Sequence, residues 1–104
     1  AHFFPRAYVF SNTNKLNHNY DDHFPKHAIF PWDDSILADM LAFQEEIKAR
    51  PDYEQLKEMD EDFDRFLVVF DDVISDENTI RYSTPLRTTF VEGRHYNGCF
   101  LFNT

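Results

Sequence analysis

Phe66-Leu67-Val68-Val69-Phe70-Asp71-Asp72 is the stretch on which the reading of this chain turns. Five consecutive apolar residues without alternation predict a strand covered on both faces, the situation of a central strand in a parallel sheet. The run stops on two acids, so the strand delivers negative charge at its carboxyl end. Upstream, Arg6-Ala7-Tyr8-Val9-Phe10 has the same form and passes into the turn formers Ser11-Asn12-Thr13-Asn14. Downstream, Cys99-Phe100-Leu101-Phe102 is a third apolar strand.

The connections between these strands carry helical signals. Asp33-Asp34-Ser35 supplies a cap and negative charge at a helix start, and Ile36, Leu37, Met40, Leu41, Phe43 and Ile47 follow at helical spacing. Arg50-Pro51 ends that helix, because the residue before a proline is pushed out of the helical region. Tyr53 to Met59 predicts a second, shorter helix. Thr84-Pro85 opens a third, with Leu86, Phe90 and Val91 on its apolar side and Gly93 placed to stop it. Lys15 to Trp32, rich in Asn, His, Asp and Pro, reads as an irregular loop. The order strand, helix, strand, short helix, strand predicts an α/β fold. Its parallel sheet has about three strands with helices packed on it, and residues 1–104 form a single domain.

Composition excludes several classes. The 104 residues carry 19 acidic and 10 basic side chains, a formal charge of -9, which argues against a nucleic-acid binder that uses its whole surface. Hydrophobic residues at 42%, with 12 Phe, exceed what a disordered acidic tail contains. One cysteine forms no internal disulfide and fits a reducing compartment. No apolar run approaches the roughly 20 residues of a membrane helix, so no membrane partner is expected. The acidic run Glu58-Met59-Asp60-Glu61-Asp62-Phe63-Asp64 reads as a solvated connection, with Met59 and Phe63 as anchors to the core.

An apolar strand ending in two acids is the Walker B arrangement of P-loop nucleotide hydrolases, in which one acid holds Mg²⁺ and the next orients the attacking water. Buried strands also end in Asp-Asp simply because acids cap the following turn. Further residues narrow the choice. The strand ending at Ser11, the Asp71-Asp72 pair and Gly93-Arg94-His95 leading into the third strand occur in one order over nearly the whole chain. In this the chain resembles the genome-packaging ATPases of large DNA viruses, the poxvirus type within the FtsK–HerA branch of the P-loop superfamily.

The resemblance implies a partial P-loop NTPase-like domain, a portion of an ATP-driven DNA-packaging motor. It assigns Asp71 to the metal, Asp72 to the attacking water and Arg94 to phosphate, to a neighbouring subunit or to charge stabilisation in trans. It further implies Mg²⁺ and ATP as cofactors of the intact protein, duplex DNA and capsid components as partners, a homo-oligomeric ring, and a location in host cytoplasm or virion. His95 is expected to cap or pack, and Asn103 is a candidate polar sensor at the strand end.

The departures are equally specific. The only glycines are Gly93 and Gly98, and no Gly-Lys-Ser or Gly-Lys-Thr is present. The phosphate cradle is therefore expected upstream of Ala1, and this portion alone is expected neither to hold ATP tightly nor to hydrolyse it. The alternative is a stand-alone small acidic protein that docks on a basic partner; a third possibility is a P-loop relative that has lost catalysis. His18, Asp21, Asp22, His23 and His27 form a loop cluster of potential zinc ligands, though without cysteine and interrupted by Pro25. Phe3, Phe4, Phe24, Phe30 and Trp32 lack interleaved cations and are expected to be buried rather than to stack on bases.

Overall fold

The structure, a computed structural model, describes residues 5–11, 22–71 and 83–103. It is an α/β arrangement with a four-stranded parallel sheet. Strands β1 (Arg6–Ser11), β2 (Ile29–Phe30), β3 (Phe66–Asp71) and β4 (Gly98–Asn103) lie in the order β2-β1-β3-β4. Every pairing is parallel. Helix α1 (Asp34–Lys48) and the short α2 (Tyr53–Met59) connect β2 to β3, and α3 (Thr84–Glu92) precedes β4. β2 is the element that the sequence does not announce: two residues inside a stretch read as loop.

Helix α1 begins where its cap predicts. The Asp33 carboxylate accepts from the Ser35 amide at 2.9 Å and from the Ser35 hydroxyl at 2.6 Å. These bonds hold the carboxyl below its ordinary value. Helix α3 is capped one residue earlier than its sequence suggests: the Ser83 hydroxyl accepts from the Leu86 amide, and Pro85 lies within the first turn. Gly93 does not stop the chain. Its backbone is helical, and a 3-10 turn over Gly93–Tyr96 continues to Asn97, whose φ of 57° ends it. Asn tolerates that left-handed conformation better than most side chains do. The glycine answers a packing demand, since a Cβ there would sit 3.1 Å from the Phe100 ring.

The core lies between the sheet and helices α1 and α3. Phe10, Phe66, Val68 and Phe70 meet Leu37 and Leu41 of α1, Leu86 of α3, and Tyr96. Aromatic rings cross the sheet in register: Phe10 stacks on Phe70 at 5.7 Å and Phe70 on Phe102 at 4.8 Å, while Phe90 of α3 covers Phe102 at 4.4 Å. Each such pair adds about 0.5–1.5 kcal/mol beyond the area it buries. The expectation that β3 is covered on both faces holds for one of them. Phe66, Val68 and Phe70 are buried, whereas Leu67, Val69 and Asp71 are half-buried, because α1 and α3 both pack in the same cluster on one side.

The two sheet margins differ. β2 is two residues long and lies between Pro25 and Pro31. β4 is six residues without a charge, and among the described residues it pairs only with β3. Leu101 on β4 is 51% exposed. No helix among the described residues is long and apolar enough to cross a membrane.

Candidate functional site

Parallel strands place all their carboxyl ends on one rim. The register aligns Ser11, Asp71 and Asn103 as direct neighbours across β1, β3 and β4. This row lies one residue beyond the aromatic row Phe10, Phe70, Phe102, so the packing that fixes register also fixes which polar residues stand side by side. Ser11 is buried and donates its hydroxyl to Asp71 Oδ2 at 3.1 Å. The acid, half-buried, thus stands at the end of the strand with a neighbour on each side. Asp72, its sequence partner, lies outside the described residues, as do His18 and Asp21 of the histidine-rich loop.

The opposite, amino-terminal edge holds a second polar assembly. Asp64, 0% exposed, accepts from Tyr53 Oη at 2.7 Å, Lys57 Nζ at 3.0 Å and Asn97 Nδ2 at 2.7 Å. Burial pushes its carboxyl up, and these three donors outweigh burial and hold it below the usual value. Burial, reinforced by the adjacent Asp64 charge, pushes the Tyr53 hydroxyl up. Gln44, buried on α1, donates to the Asp64 carbonyl and accepts from Arg6, whose guanidinium lies over the Phe43 and Phe66 rings at 4.9 and 5.5 Å. This corrects the reading of residues 58–64 as wholly solvated. Asp64 continues the buried parity of 66, 68 and 70, and that alternation is the signal that identifies it. Met59, at 82% exposed, is no anchor; Phe63 packs on Tyr53 at 5.7 Å.

Arg94 belongs to this amino-terminal edge. It sits in the turn before β4 and lines an open cleft of about 460 Å³ with Lys57, Arg65, Asp62 and Gly98. Asp71 is level with the far end of β4, five residues and roughly 16 Å away along the strand. One chain therefore does not bring Arg94 and Asp71 to the same small ligand. The turn itself is anchored: Lys48 donates to the His95 carbonyl, and His95 Nε2 lies 3.0 Å from Glu45 Oε1. His95 packs edge-on against Tyr96, which accords with a positioning role rather than a chemical one.

No family model, curated protein or solved structure matches this chain. The functional reading therefore stands on the geometry of the rim and on the motif resemblance alone. Among the described residues no group of three or more His, Cys, Asp or Glu forms a ready metal site. Asp71 with the Ser11 hydroxyl beside it nevertheless fits the protein's share of a magnesium site, because Mg²⁺ is commonly held by one or two carboxylates and completed by water and phosphate oxygens. The residues do not fit a phosphate cradle. Gly93 and Gly98 both lie against the Phe100 ring, away from the rim that bears Asp71.

Proposed function

We propose that this chain is the acid-bearing portion of an ATP-driven DNA-packaging motor of the poxvirus type. The observation that carries the proposal is Asp71 at the carboxyl end of an interior parallel strand, level with Ser11 and Asn103 and hydrogen-bonded by Ser11. The four-stranded parallel sheet is compatible with a partial P-loop-like domain. In this reading Asp71 holds magnesium, which neutralises charge on the nucleotide's phosphates, and Asp72 orients the attacking water. Arg94, on the other edge, serves a neighbouring subunit of a ring rather than its own Asp71. The phosphate cradle is supplied by sequence not contained in these 104 residues.

Replacing Asp71 by Ala in the protein that also carries a Gly-Lys-Ser or Gly-Lys-Thr loop tests the proposal: ATP hydrolysis should fall by at least about a hundredfold. Undiminished turnover removes the assignment. The second reading, an acidic protein that docks on a basic partner, is favoured by the exposed stretch Glu58-Met59-Asp60-Glu61. It requires tight, salt-sensitive binding of a lysine-rich peptide, which substitution of Glu58 and Asp60 by Gln and Asn would abolish while leaving the rim intact.

A further inference from the structure

The rim contains a residue whose role the catalytic reading leaves unassigned. Ser11 is 5% exposed, ends β1 directly opposite Asp71, and donates its hydroxyl to Asp71 Oδ2 at 3.1 Å. We infer that Ser11 is a positioning residue for a divalent cation, fixing the rotamer of the Asp71 carboxylate so that this acid presents a defined oxygen arrangement at the sheet's carboxyl edge. The inference rests on the reading of Asp71 as the metal-side acid and adds to it a particular neighbour and a particular bond.

Three observations support it. A carboxylate at a strand end turns about its side-chain torsions at little cost unless something holds it, and a hydroxyl bonded to one oxygen removes much of that freedom. The donor is itself fixed, because Ser11 follows the buried residues Val9 and Phe10 and its strand is locked to β3 by the Phe10–Phe70 stack. Serine also satisfies a geometric requirement that most residues in this position would not: a short side chain with one rotatable hydrogen, on the same sheet face as Asp71. Loss of a partner that orients a metal ligand typically costs about ten- to a hundredfold in metal affinity or activity.

The experiment uses the 104-residue chain, labelled with ¹⁵N and ¹³C, and Mn²⁺ alone as a paramagnetic probe. Wild type should show line broadening centred on the amides of residues 11, 71 and 103, and Asp71→Asn should abolish it. Ser11→Ala should weaken Mn²⁺ binding about tenfold and, without metal, move the Asp71 side-chain ¹³Cγ resonance; Ser11→Thr, which keeps the hydroxyl, should restore both. Should the alanine variant fail to fold, Ser11→Val against Ser11→Thr makes the same comparison between residues of nearly equal shape. If Asp71→Asn abolishes binding while the hydroxyl-free variants match wild type in affinity and ¹³Cγ shift, the positioning role is overturned and the metal reading stands. If threonine fails to restore what alanine loses, the effect is packing and the inference falls. If broadening persists in Asp71→Asn, the metal reading itself fails.

Discussion

The two edges of this one sheet are built on opposite principles. At the amino-terminal edge, polar groups face one another: Asp64 takes three donors, Gln44 bridges Arg6 to the Asp64 carbonyl, and Asn97 bends the backbone to reach in. At the carboxyl-terminal edge Ser11, Asp71 and Asn103 align in register across three strands, and the half-buried Asp71 accepts from the Ser11 hydroxyl. A closed, fully satisfied network stabilises and specifies the fold. A half-buried carboxylate at a strand end contributes less to stability than a buried one held by three donors. The two carboxylates, Asp64 and Asp71, stand seven residues apart on one stretch of chain.

Substitutions can break or sharpen that contrast. Phe70 is fully buried and stacked between Phe10 and Phe102, so Phe70→Ala should cost about 3–5 kcal/mol and lower the midpoint of chemical unfolding more than any rim change. Asp64→Ala strands Lys57, Tyr53 and Asn97, and should cost about 2–4 kcal/mol by the same measurement. Its pH signature has a definite sign. Because the folded carboxyl titrates below its unfolded value, the stabilisation is complete above about pH 4 and is lost as pH falls through the folded value. Asp64→Asn should therefore flatten the acid limb of stability against pH. Asn97→Ala loses a bond to Asp64 and keeps a φ of 57°, for a loss of about 1–2 kcal/mol. Asp71→Asn should change stability by less than about 1 kcal/mol; a loss as large as that of Asp64→Ala would erase the contrast.

Much of the fold is legible in the residues themselves. The apolar run 66–70 and the capped, periodic stretch from Asp33 to Lys48 form the strand and the helix they predict, although only one face of the strand is buried. β2 is invisible because Ile29-Phe30 is too short for any period and is flanked by prolines; only pairing with Val9 and Phe10 makes it a strand. Asp64 is hidden by the acids around it, although parity with Phe66 points inward. Gly93 misleads because glycine has two uses, and here close approach to the Phe100 ring rather than a left-handed turn favours it. Of the candidate site, Asp71 is readable from its place after an apolar strand. The hydroxyl beside it is not, because register arises from ring packing between segments 60 residues apart. Arg94 follows from topology alone: in a parallel sheet, a residue just before one strand lies at the edge opposite the end of its neighbour.

The unequal margins of the sheet have a practical consequence. Among the described residues Gly98-Cys99-Phe100-Leu101-Phe102-Asn103 pairs on one side only and carries no lysine or proline to deter pairing on the other, so that side can template an extended peptide. In concentrated solution the molecule should therefore self-associate along this flank, reversibly at first and then as precipitate. Leu101→Lys, which changes a half-exposed side chain, should raise the concentration that light scattering reports as monodisperse.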